Sequence, residues 1–307
     1  MFLHDTVLGI IFLSQTAVGV LGNSIFLWFY TFILFTNHRW KPMDPILTQL
    51  TFTNTIVLLS QGCPLAILYF RRGYFLGITA CKIVFYLQRV SRGLSVCTTC
   101  LLNTFQAVTI SPNNSRLAKL KVRLLKFTLP SCFLCWIINM ILEINVPIYI
   151  SESRSRNSTH TSGIHLLYCY WEKIFMDIII LPSLRDILCV GCMVCTSGYM
   201  VFLLYRHHQR VKHIHSTSLS SKTSPEMKAT QTILLLVSIF VSTYGISCGF
   251  ILHKVYMIHS GTWMMIVNTF IVSCFPASSP FLLIHREIQI PRSCGASWWR
   301  PYSQNKL

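Results

Sequence analysis

From Thr6 to Thr36 the chain runs without one Asp, Glu, Lys or Arg. A helix needs about 20 mostly apolar residues to cross a bilayer, and six further stretches approach or meet that length. The segments are 7–32, 45–69, 81–110, 127–150, 174–205, 229–252 and 262–284. The third is interrupted by Lys82, Arg89 and Arg92 but is uncharged from Gly93 to Ser115, and the fifth carries Asp177, Arg185 and Asp186. Only 11% of the residues are charged and the mean hydropathy is +0.53, against about 25% charged residues in a typical soluble domain. Too little charge remains to cover a water-facing surface, which excludes a soluble enzyme. Disorder requires low hydrophobicity and is excluded as well. The pattern predicts an all-α membrane protein, a bundle of seven transmembrane helices forming a single unit over 1–307, with a short tail over 285–307.

The net charge of +17 arises from 26 Lys/Arg against 9 Asp/Glu. In a soluble protein such an excess would suggest nucleic-acid binding; here the placement of the charge gives another reason. The loops after spans one, three and five, together with the tail, hold sixteen Lys/Arg, whereas the loops after spans two, four and six hold six. The positive-inside rule puts the richer side in the cytoplasm. An odd number of spans then places the N-terminus outside and the C-terminus inside. The first run is too long for a signal-peptide core and no basic stretch precedes it, so it is expected to stay as the first span. The loops are too short for a soluble domain, and the repeats typical of transporters are missing. The third inner loop, 207–223, is rich in His, Ser and Thr and reads as flexible; Ser216, Thr217, Ser218, Ser220 and Ser221 are its modifiable hydroxyls.

The chain has thirteen cysteines. The pairs Cys97/Cys100 and Cys132/Cys135 and the triplet Cys189/Cys192/Cys195 imitate metal-ligand spacing. All fall within spans, where i, i+3 spacing only places residues on one helix face, and no His or acid completes a ligand set. They read as small apolar packing residues, and no metal or cofactor is expected. Cys81 and Cys169 both fall on the outer side, where disulfides persist; topology alone leaves open whether they pair or stay free. Asn157-Ser158-Thr159 is a glycosylation sequon in the second outer loop, whereas Asn113-Asn114-Ser115 lies on the inner side and is a chance match. Cys294, beyond the last span, is a weak palmitoylation candidate.

The stretch from Cys81 through Arg89-Val-Ser-Arg92 and Cys97-Thr-Thr-Cys100, on to Phe105-Gln-Ala-Val-Thr-Ile-Ser-Pro112, resembles the third span of vomeronasal type-1 receptors. Leu117-Ala-Lys-Leu-Lys121, the basic run 204–215, Ser224-Pro-Glu with the following 229–238, Cys274-Phe-Pro and Ser279-Pro-Phe281 are similar to other parts of that family, so the resemblance covers almost the whole chain. No Asp-Arg-Tyr ends the third span and no Asn-Pro-x-x-Tyr ends the seventh, which suits this family and argues against amine and peptide receptors. The resemblance implies a G-protein-coupled pheromone or chemosignal receptor of the plasma membrane, signalling to an inhibitory-type heterotrimeric G protein. It also implies a Cys81–Cys169 bridge. Gln88 departs from the His that many members carry before the Arg-Val pair, so a proton-sensitive contact there does not carry over.

Charges within a span are costly and mark functional positions. At about 100° per residue, Lys82, Arg89 and Arg92 share a face roughly 80° wide, with Phe85 and Tyr86 beside them. The expected site is an aromatic-lined cavity with a cationic floor in the outer half of the bundle. There Arg89 and Arg92 would grip an anionic chemosignal such as a sulfated steroid through two oxygens at once. The alternative is that the arginines pair internally with Glu143, Asp177 or Asp186 and lock spans three, four and five together; Glu143 is the leading counter-ion and Asp186 the next. Pro64, Pro147, Pro182, Pro276 and Pro280 can kink the spans. The inner loops, with ten basic residues in the second and third against Glu226, suit a G protein and equally suit anionic lipid heads. No nucleic-acid partner is expected. A bitter-taste-type receptor is the nearest alternative within the class, while a channel or carrier would need polar residues continuing past Gly93. An intramembrane enzyme would need a catalytic set that no span presents.

Overall fold

The computed structural model describes residues 2–37, 42–71, 77–112, 117–151, 164–166, 169–171, 176–214, 225–256 and 262–289. Its long helices are α1 (Phe2–Asn37), α2 (Asp44–Arg71), α3 (Ile78–Ile110), α4 (Leu117–Leu142), α6 (Met176–Ile214), α7 (Pro225–Tyr256) and α8 (Thr262–Gln289). Among the described residues these seven are long and apolar enough to cross a membrane. In lipid every backbone N–H and C=O must be satisfied within its own segment, so an apolar stretch of this length has the helix as its solution.

The distribution of side chains is inverted relative to a water-soluble bundle. Trp28, Leu129, Phe133, Ile187 and Leu188 are more than 60% exposed, while Asn23, Asn54, Thr98 and Asn103 are fully buried. Large apolar side chains outside and hydrogen-bonded polar ones inside are what a lipid solvent selects. The centre is built on α2 and α3, whose spans are 67% buried; the span of α6 is 11% buried and packs chiefly on α3. The main apolar core gathers Phe26, Leu50, Leu102, Met193, Ile233 and Phe275.

Polar residues fix the register of the helices. Ser95 donates to Asn54 (3.0 Å) and Asn54 donates to Ser279 (2.8 Å), joining α3, α2 and α8. Asn103 of α3 donates to the Met193 carbonyl of α6 at 2.9 Å, and Gln106 to Thr230 of α7 at 3.0 Å. The half of α3 beyond Gly93 is therefore uncharged but not apolar. Pro280 has no N–H for the carbonyl of Pro276 one turn back; Asn23 of α1 supplies the missing donor at 3.0 Å. The proline interruption of α8 thus becomes a tie to α1.

Three boundaries differ from those expected. Helix α4 ends at Leu142; a turn over 143–145 and a four-residue helix α5 (Val146–Tyr149) follow, and Ile150 is already in a strand. Pro147 sits in the first turn of α5, where its missing N–H costs nothing. The connection between α5 and α6 contains strands β1 (Ile150–Ser151), β2 (Ile164–Leu166) and β3 (Cys169–Trp171) in antiparallel order β1-β3-β2, an addition to the all-helical expectation. Helix α6 continues to Ile214, so 207–214 is helical rather than loop; no Gly or Pro lies between Tyr199 and Ile214. The sequon at Asn157, the residues 215–224 with their hydroxyls, and Cys294 lie outside the described residues.

Candidate functional site

Arg89 and Arg92 are three residues apart, which turns them by about 60° from each other around α3. They therefore address different neighbours. Arg89 faces α4: its Nε donates to Glu143 Oε2 at 3.0 Å. Arg92 faces α7: its Nη2 donates to Ser247 Oγ at 3.3 Å, and its guanidinium stands 5.6 Å from the centroid of the Tyr244 ring.

A third guanidinium closes the network. Arg185 of α6 donates through Nη1 to Asn139 Oδ1 (2.6 Å), lies 3.6 Å from Glu143 Oε1, and donates through Nε to Asp186 Oδ1 (2.8 Å). Tyr244 then donates to Asp186 Oδ2 at 2.6 Å. The series Arg89–Glu143–Arg185–Asp186–Tyr244–Arg92 joins α3, α4, α6 and α7. Its middle depends on Gly93: a Cβ there would collide with Asn139 Oδ1 and the Arg185 guanidinium. A glycine at this position leaves the space through which Arg185 reaches Glu143.

The network contains three guanidinium groups and two carboxylates. Arg89 and Arg185 hold the carboxylates. Among the described residues Arg92 touches neutral partners, a hydroxyl and an aromatic face. It also lines a narrow cleft of ≈ 380 Å³, counted out to open solvent, formed by α2, α3, α7 and α8. Arg92, Tyr244 and Val272 stand at the level nearer the β-sheet; Val96, Phe240, Phe275 and Pro276 lie deeper. Phe240 and Phe275 meet edge to face at 4.8 Å and 80°. The cation sits toward the sheet end and the floor is hydrocarbon, the reverse of the expected cationic floor. The reason is that the Arg92 side chain extends toward Ser247, one turn nearer the sheet than Thr243 and Tyr244.

The other expected site residues are dispersed. Phe85 is buried in a separate cluster with Phe12, Leu65, Cys81, Val146 and Ile150, beneath α5 and β1. It shares the angular position of Arg92 but stands about two turns nearer the sheet, where the bundle is capped rather than hollow. Tyr86 donates to the Met140 carbonyl of α4 at 3.2 Å. Lys82 is half-buried in the second turn of α3, outside the cleft lining. Glu143 and Asp186 act within the network, and the side chain of Asp177 lies outside the described residues. Sequence reasoning noted Arg185 as a charge but gave it no partner, and it missed Asn139, Tyr244 and Ser247. These are ordinary span residues, and no spacing within one helix reports a partner on another.

Cys81 is fully buried and disulfide-bonded. The strand carrying Cys169 pairs with β1, which packs on α3 through Ile150 beside Cys81.

Comparison with known proteins gives the family and the fold. Residues 6–296 match the model of the vomeronasal organ pheromone receptor family. Human vomeronasal type-1 receptor 1 is 39% identical over 292 residues, covering 94% of this chain and 82% of that protein. Human vomeronasal type-1 receptor 3 is 40% identical over 295 residues, covering 94% and 93%. Vomeronasal type-1 receptor 4 of Pongo pygmaeus is 40% identical over 292 residues, covering 94% and 96%. The crystal structure of squid rhodopsin superposes with a TM-score of 0.71 over 98% of this chain and 82% of that one, at 15% identity, a likeness of fold.

Proposed function

This chain belongs to the vomeronasal organ pheromone receptor family, and from that premise we propose that it senses a single-headed organic anion, such as a sulfated steroid, held at Arg92. The coarser statement rests on the family itself: the chain is a multi-pass membrane chemosensory receptor with the rhodopsin-type fold, not an enzyme, with a small-molecule ligand and a G protein as its partners.

The observation that carries the ligand reading is the charge imbalance of the network. Two carboxylates are held by Arg89 and Arg185, and Arg92 faces the cleft with neutral neighbours among those described. A half-buried cation with neutral neighbours favours an incoming carboxylate or sulfate, and a guanidinium can meet two oxygens of an anionic head. In this reading the head group sits at Arg92 and the hydrocarbon body points toward Phe240 and Phe275. Arg89, Glu143 and Asp186 hold the site open from behind, and Lys82, Phe85 and Tyr86 belong to its surroundings. Binding that favours one arrangement of α3 and α7 shifts the population of states. The G protein is of the inhibitory type, reached from the basic inner loops in the plasma membrane, with the N-terminus outside as the Lys/Arg distribution indicates.

Cys81 bonds to Cys169 in this reading. It is the pairing that the family resemblance implies, and it agrees with Cys81 being disulfide-bonded.

The test is Arg92→Gln in surface-expressed receptor, with matched anionic and uncharged ligands and a G-protein activation readout. A hydrogen bond to a charged group is worth about 1.5–3 kcal/mol, so potency for the anion falls about 10- to 150-fold and that for the uncharged analogue changes little. Normal trafficking with full anion potency would overturn the assignment.

A further inference from the structure

The ligand site leaves unexplained a line of thiols on the other side of α3. Cys97 and Cys100 of α3 face Cys135 of α4 and Cys189 and Cys192 of α6. The sulfurs of Cys97 and Cys189 are 4.0 Å apart. Among the described residues no three Cys, His or acidic side chains converge closely enough to hold a metal ion. The thiols meet in pairs, which suits two-thiol chemistry.

The surroundings of the closest pair assign the roles. Asn139 donates Nδ2–H to the Cys97 sulfur at 3.5 Å while its Oδ1 accepts from Arg185 at 2.6 Å. The amide, held by the guanidinium, fixes the Cys97 sulfur opposite Cys189. Cys97 itself is buried. Cys189 is half-buried and lies one turn from Cys192, which is exposed on the apolar outer face of α6. Of the two sulfurs in the closest pair, Cys189 is therefore the more accessible to an oxidant arriving through the lipid.

We propose that Cys97 and Cys189 form an oxidisable dithiol that an organic hydroperoxide converts into a disulfide joining α3 to α6. In the first step Cys189–SH and ROOH give Cys189–SOH and ROH, so sulfur is oxidised and the peroxide reduced. In the second the Cys97 sulfur attacks the sulfenic sulfur, forming the S–S bond. The hydroxyl leaves with the Cys97 proton as water. A reducing thiol reverses the bridge by exchange. Because the span of α6 is 11% buried and rests chiefly on α3, this bridge would fix the most loosely held span.

The experiment treats the full chain in lipid nanodiscs with cumene hydroperoxide, alkylates the remaining thiols after unfolding, and maps the peptides by mass spectrometry. The expected product is a Cys97–Cys189 cross-linked peptide, absent before treatment, absent in Cys189→Ser, and lost on dithiothreitol treatment. The wild-type map decides the matter even if a variant folds poorly. The proposal is overturned if Cys97 and Cys189 both remain alkylatable after the peroxide, or if the new bridge joins a different pair.

Discussion

Glu143→Gln isolates what the buried carboxylate contributes. Glutamine keeps the volume and one acceptor oxygen, so no cavity opens, and what changes is charge. The carboxylate is 1% exposed; it accepts from Arg89 at 3.0 Å and faces Arg185 at 3.6 Å. Breaking a fully buried pair from one side costs about 3–5 kcal/mol. That range is too high here, because Arg89 is 31% exposed, so the pair is not fully buried, and Arg185 keeps Asp186 at 2.8 Å. Loss of the charge-assisted hydrogen bond alone is worth about 1.5–3 kcal/mol. We therefore expect a destabilisation of about 2–3 kcal/mol, a 30- to 150-fold change in the folding equilibrium. The assay is SDS-driven unfolding of the purified receptor in mixed micelles, on wild type, Glu143→Gln, Arg89→Gln and the double variant. If the pair is the source, the double variant loses less than the sum of the singles by about 1–2 kcal/mol. A Glu143→Gln protein within about 0.5 kcal/mol of wild type, or strictly additive losses, would refute the reasoning.

Two further outcomes follow from the same geometry. Gly93→Ala places a methyl against Asn139 Oδ1 and the Arg185 guanidinium, so Arg185 must withdraw from Asn139; we expect a loss of about 2–4 kcal/mol in the same unfolding assay, in the range of overpacking plus a broken charged hydrogen bond, while Glu143→Gln on that background still costs the Arg89 hydrogen bond. If the second loop faces outward, Asn157→Gln removes an endoglycosidase-sensitive mobility shift from receptor expressed in animal cells; a wild-type protein without that shift would count against the outside placement of the N-terminus.

The long-range order of the fold was legible because it depends on one-dimensional quantities. Segment length along the chain is enough to number seven spans, and among the described residues seven helices are long and apolar enough to cross a membrane. Where they differ, local chemistry outweighs hydropathy. Asn145 and Pro147 turn the chain at the end of α4 although Ile144, Val146 and Ile148 remain apolar, and 207–214 continues α6 although it is polar, since helix needs no lipid where nothing breaks it. The site was legible only as far as one helix can report on itself. The spacing of Arg89 and Arg92 marked both as inward charges and named Glu143 among the acids that could hold one. It could not say that a turn of about 60° between them sends one to a carboxylate and the other to Ser247 and Tyr244. That difference belongs to the packing of α3 against α4 and α7, and Gly93 is part of it. By admitting Arg185 it brings a third cation to two carboxylates, and in the proposed reading the resulting excess charge is what a ligand meets at Arg92. A chain with the same arginines but a larger residue at 93 would keep the motif and lose the imbalance, so position 93 should govern anion potency without touching the anion.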